Sequence, residues 1–353
     1  MLKMQMQIFE IINVTREIVW GIGDTHYFFM IGASAGALFL ASLYHVFRIE
    51  RYRDSASTGL VVALSLGLAA PLNLIVNLYQ PGRFYSFLYH THVTSPMSWG
   101  TFILSFYLLS LIIYSWCVFR KKSFEINRWT GAVALLSAIV VITYTGVEVA
   151  AVRAVPLWHS IMVPILYLCT SLVSAIGLTV LVWRAEGGMK DKSSGKALGN
   201  LLLWSLLAVF FLQIVWIVVE IGFGTRDARI AGQYLLREHW IAFLVSGMGV
   251  TVVLPALLLV PVRLRQAARG LVPASLLAVL GAWLFRWNVV VTGQEVPKTS
   301  AGFYHYFPAI TGHDSITEVV ANMAFAFFLL IVLTWLVPVG RDNRIKHTEI
   351  EES

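Results

Sequence analysis

Nine stretches of this chain stay apolar long enough to cross a bilayer. A spanning helix needs about 20 consecutive, largely apolar residues. The stretches lie near Val19–Phe47, Thr58–Leu78, Ser98–Phe119, Trp129–Val152, Ser160–Trp183, Leu198–Gly222, His239–Pro261, Leu271–Gly293 and Ile316–Pro338. Polar residues cluster between them instead of alternating as they would along half-buried strands. The pattern predicts an all-α, polytopic helix bundle forming a single membrane domain over 1–353. Its parts are an outer segment 1–18, the bundle 19–338 and a cytoplasmic tail 339–353.

The polar gaps also predict orientation. One alternating set of connections holds Arg48, Arg51 and Arg53, then Arg120 to Arg128, Arg184 to Lys196, Arg263 to Arg269, and Arg341 to Lys346. It carries 17 of the 26 Lys and Arg residues, the opposite set carries 8, and Arg286 lies inside a segment. The positive-inside rule places the richer set in the cytoplasm, so the N-terminus is expected outside and the C-terminus inside. The N-terminal sequence lacks the pattern of a cleavable signal, so the first apolar segment is expected to be retained.

Composition narrows the function. With 58% hydrophobic and 13% charged residues, and a mean hydropathy of +0.74, the chain is not a soluble domain. The net charge of +7 is spread over the loops, which argues against a nucleic-acid patch. Cys117 and Cys169 have no Cys-x-x-Cys spacing, so no iron–sulfur cluster is expected to be held by this chain alone. Contact with membrane lipid follows as an expectation.

Ionisable side chains at membrane depth are costly unless partnered, and they mark function by default. Here they gather toward one side: Asp24 and His26, Tyr144 and Glu148, Glu220, and Arg286 with Asn288. The opposite halves hold only His45 near an end. A polar pocket beneath the outer surface is expected. Asp24 reads most simply as a helix cap. Asp24 and His26 are two residues apart and should point to opposite sides of a helix. Glu148 lies one turn from Tyr144 on the same face. Glu220 and Arg286 could instead form a structural ion pair, and Gly32-x-x-x-Gly36 suits helix packing.

The stretch Pro71–Gly100 differs from an ordinary connection. A Gln80-Pro81-Gly82-Arg83 break, an aromatic run (Phe84, Tyr85, Phe87, Tyr89) and Ser95-Pro96-Met97-Ser98-Trp99-Gly100 follow one another. Pro81 and Pro96 suit helix ends, and the rings suit an interface. Asn77-Leu78-Tyr79-Gln80-Pro81-Gly82-Arg83-Phe84 followed by Thr94-Ser95-Pro96-Met97-Ser98-Trp99-Gly100 resembles the NrfD / polysulfide reductase membrane-subunit family. Asn77 stands where that family usually has an acidic residue. Trp20 through Ala37, Thr143-Tyr144-Thr145-Gly146 and Arg153-Ala154-Val155-Pro156-Leu157-Trp158 resemble the family's first helix, fourth helix and following link. Arg286-Trp287-Asn288 resembles the eighth helix of its longer members.

The resemblance implies a quinone-reactive membrane subunit of a respiratory oxidoreductase, binding menaquinone or ubiquinone. His26 and Tyr144 are the implied quinone residues. Arg83, Asn77, Arg153 and Arg286 are further candidate cofactor-binding residues, and Glu148 is a candidate proton carrier on its position alone. No haem is expected in this chain. The implied partners are a four-cluster, ferredoxin-like iron–sulfur subunit on the outer face and a molybdopterin catalytic subunit or multihaem cytochrome. Gln80–Pro96 and Gln294–Ser315 are the expected docking platform. A di-haem b-type cytochrome would need paired histidines on facing helices, and a secondary transporter would show repeats and broken helices.

Overall fold

The computed structural model describes residues 18–78, 80–92, 94–188, 192–296 and 304–337. The expected N-terminal segment up to residue 17 and the tail from residue 338 lie outside the described residues. Among those described, nine helices are long and apolar enough to cross a membrane. They are α1 (Ile22–His45), α2 (Arg53–Val76), α3 (Pro96–Phe119), α4 (Phe124–Ala150), α5 (Met162–Ala185), α6 (Lys192–Val218), α8 (Ile241–Leu259), α10 (Ala268–Gln294) and α11 (Ile316–Leu336). Two short helices join them, α7 (Arg226–Arg237) and α9 (Val262–Gln266). Neither α7 nor α9 was legible as a helix from the apolar pattern.

Each expected crossing is present, with ends shifted by a few residues. The largest shift is in α6, which begins at Lys192 rather than near Leu198, and α4 begins at Phe124 rather than near Trp129. Ser123 and the acidic Glu125 open it, and an acidic first turn suits the helix N-terminus. α6 runs on through a π-helical turn at Val219–Phe223, and α8 is π-helical over Ile241–Val253.

α1 is the centre of the bundle. It packs against α2, α4, α5 and α10, and touches α11. α3 packs on α4 and α11 on α2, and both leave most of their surface outward. Small residues set the closest approaches. A Cβ at Gly36 would run into the Ser171 carbonyl of α5, and one at Gly146 would strike Pro164. Gly32 and Gly36 therefore belong to the α1–α5 seam, as small residues do between membrane helices.

Polar stitches hold the helices in register. Ser34 Oγ donates to the Ala63 carbonyl at 2.6 Å and lies 2.6 Å from the Tyr107 hydroxyl, joining α1, α2 and α3. Asn73 Nδ2 donates to the Gly23 carbonyl at 2.7 Å, and Asn322 Nδ2 to the Ala69 carbonyl at 2.9 Å. Such bonds contribute about 0.6–2 kcal/mol each in a membrane interior.

The start of α1 is capped from the far end of the chain. Gly21 holds the N-cap position without a capping side chain. The segment before α11 supplies the acceptors: Gly23 N–H donates to Asp314 Oδ1 at 2.7 Å and Ile22 N–H to the Tyr306 hydroxyl at 3.2 Å. Tyr306 donates in turn to Asp314 Oδ2 at 2.8 Å. Gln294 adds a third tie, accepting from the Val19 and Trp20 N–H groups and donating to the Trp20 carbonyl. The 22-residue connection expected as a partner platform over Gln294–Ser315 thus closes, at least from residue 304, over the bundle's own first helix.

Candidate functional site

A cavity of about 630 Å³ opens beside the start of α1. Nine of its 23 lining residues come from Pro71–Gly100, so the unusual stretch of sequence builds its wall. α2 contributes Pro71 and Leu74, the turn after it Asn77, the 3₁₀ segment Pro81–Leu88 two aromatic rings, and α3 Met97 and Gly100. Phe84, Tyr85 and Met97 are about half exposed at its rim.

The polar groups face one another across this space. Tyr144 and Glu148 arrive from α4, one turn apart, with the carboxylate lying against the phenol. The Tyr144 hydroxyl donates to the Pro96 carbonyl at 3.1 Å. That carbonyl belongs to the first turn of α3, so the Pro96 break positions the phenol. Gly100 leaves room for it, because a Cβ there would overlap the Tyr144 hydroxyl and ring.

From α1 come Asp24 and Tyr27, and Asp24 lies within electrostatic range of Glu148. Asn77 adjoins the Asp24 carboxylate, although its Nδ2 does not meet hydrogen-bond geometry. His313 and Asp314 complete the wall. His313 Nε2 is 3.1 Å from the Asn77 carbonyl. Burial pushes the Tyr306 hydroxyl well above its ordinary range, which keeps it a donor to Asp314.

The structure brings together Tyr144, Glu148 and Asn77, and it adds Asp24, Asp314 and His313. It does not bring in His26. That side chain leaves α1 on the side away from Asp24, as two-residue spacing on a helix requires. It is buried, stacks on Phe29, and has neither ring nitrogen partnered among the described residues. His26 therefore does not line this cavity with Tyr144.

The arginines are also elsewhere. Arg83 is exposed at a break between two 3₁₀ turns, and Arg153 is exposed in the turn after α4. Arg286 is wholly buried one layer behind the cavity. Its guanidinium donates to the Phe28 and Ala282 carbonyls, to Thr170 Oγ1 and to Ser171 Oγ at 2.8–3.2 Å, with the Tyr167 ring 5.2 Å away. It pins α1, α5 and α10 together. It forms no ion pair with Glu220, which instead adjoins Ser160 and His159. His159 Nδ1 is 2.8 Å from the Ala150 carbonyl.

Fold and site together define a multi-pass membrane protein with a rim-opened, largely apolar cavity and a tyrosine–carboxylate pair inside it. A family model described as "Polysulphide reductase, NrfD" matches residues 10–298, and the chain belongs to that family. It is similar to a tetrathionate reductase subunit of Salmonella typhimurium, 26% identical over 96% of this chain and 97% of that protein. It is also similar to a selenate reductase subunit of Mesobacillus selenatarsenatis, 23% identical over 93% and 88%. The integral membrane subunit of an Hdr-like menaquinol oxidoreductase from Archaeoglobus fulgidus is 26% identical, over 47% of this chain and 42% of its own.

Proposed function

We propose that this chain is the quinone-reactive membrane anchor of a respiratory reductase complex. The observation that carries the proposal is the cavity with Tyr144 and Glu148 inside it. Its volume of about 630 Å³ lies within the 300–1,000 Å³ typical of small-molecule sites. Its wall is apolar except for a few convergent polar groups, which suits a ring carrying two oxygens and an apolar tail. The exposed Phe84, Tyr85 and Met97 offer that tail a way in from lipid.

A bound quinone supplies two-electron, two-proton chemistry. The Tyr144 hydroxyl is the donor suited to hold a ring oxygen, and Glu148 beside it is the group suited to exchange a proton there. Asn77 offers an amide on the opposite wall. Electrons pass to or from a partner, because no Cys-ligated cluster is expected in this chain. The charge pattern supports an extracytoplasmic position for this face. The partner is then a four-cluster iron–sulfur subunit docked there, in series with a molybdopterin or multihaem catalytic subunit. The names of the relatives favour a sulfur or selenium oxyanion as the terminal substrate of the complex.

The test is quinone content together with turnover. Purified with its partners in mild detergent, the complex should retain quinone. Tyr144→Phe should lower quinone-linked turnover by roughly 10²-fold or more while the complex still assembles. Unchanged turnover in this variant would contradict the assignment.

A further inference from the structure

Asp24 is the charged hub of the cavity. Glu148 and Tyr27 lie within its electrostatic range, as do Tyr306, His313 and Asp314, and the Asn77 amide adjoins it. These groups come from α1, the turn after α2, α4 and the segment before α11. Tyr144 stands one turn before Glu148 on α4, against its carboxylate. Tyr167 and Arg286 form the layer behind.

The groups at this end are not equivalent. Both oxygens of Asp314 are committed, one to Gly23 N–H and one to the Tyr306 hydroxyl, at the positive end of α1. That carboxylate is fixed in place by both contacts. Asp24 is placed differently. The Gly21 backbone and the Asn77 amide adjoin it, and Glu148 and His313, which line the same cavity, both lie within its electrostatic range. His313 is exposed, and its Nε2 faces a carbonyl that can only accept, so this nitrogen carries the proton in that contact.

Resting on the quinone reading of the cavity, we propose that Asp24 and His313 form the route by which the cavity exchanges protons with the aqueous phase at this face. In the direction of release, the O–H bond at Glu148 breaks and one forms at Asp24, directly or through one water. The O–H bond at Asp24 then breaks as an N–H bond forms at His313 Nδ1, that proton passes on to bulk water, and Asp24 returns to the anion. No electron moves in these steps.

The assembled complex in nanodiscs decides this, using Asp24→Asn, His313→Gln and Tyr144→Phe side by side. Three quantities are read: bound quinone, proton release to a pH-sensitive dye in a single turnover, and the carboxylic-acid band in redox-induced infrared difference spectra. Asp24→Asn should keep its quinone, lose a carboxyl band, and release protons roughly tenfold more slowly or worse. A small weak acid in the medium should restore part of the rate. Wild-type proton release in Asp24→Asn, with Tyr144→Phe inactive, would overturn the route and leave the quinone site standing. Normal behaviour in both variants would remove the site itself. Should Asp24→Asn fail to assemble, His313→Gln decides: slowed release upholds the route, and an unchanged rate rejects it.

Discussion

Asp24 and His26 stand two residues apart in the first turns of α1 and end on opposite sides of it. One faces the cavity, and the other is packed away with both ring nitrogens unpartnered among the described residues. The spacing alone contains that separation. The choice of which side faces the site does not follow from it, because it depends on how α1 is rotated against α2 and α4. Position and motif pointed to Tyr144 and Glu148, and i, i+4 spacing was enough to put them together. Asp24 read locally as a cap, since Asp near a helix start usually is one. Asp314 gave no signal, because its contact with Gly23 spans 291 residues. The geometry makes His26→Leu a discriminating variant. No hydrogen bond is lost, so turnover should stay within about twofold and thermal stability should hold or rise. A collapse of turnover with normal assembly would return His26 to the site.

At the scale of elements, α1 starts without a cap of its own and borrows one from the segment that leads into α11. Its first N–H groups need acceptors, and burial in the bundle excludes water as the general solution. Asp314 and Tyr306 meet that need, while Ser315 and Glu318 form a capping box for α11 one residue further on. The sequence shows the box as a Ser-x-x-Glu pattern, which is local. The long-range cap has no such pattern. Asp314→Ala should cost about 1–2 kcal/mol through the lost cap and the uncompensated helix end. In the purified protein the thermal transition should fall by a few degrees. Tyr306→Phe, which keeps the Asp314 contact to Gly23, should lose less. Equal stability of Asp314→Ala and the parent would show that α1 is held in some other way.

At the scale of the whole molecule, the nine apolar runs were enough to predict the bundle, because a bilayer leaves the backbone few alternatives to helices. Their lateral arrangement was not legible. It depends on where small residues allow close approach, as at Gly36 against Ser171 and Gly146 against Pro164. That packing places α1, α2, α3 and α4 around one side-opening cavity and sets Arg286 behind it as a brace. The central claim is that a quinone occupies this cavity. The most direct measurement is photolabelling of the assembled complex with an azido-quinone, followed by peptide mapping. The label should fall on residues 97–108 of α3 and 144–148 of α4, and Gly100→Leu, which drives a side chain into Tyr144, should abolish it. Label concentrated on α6 to α10, or undiminished by Gly100→Leu, would contradict the account.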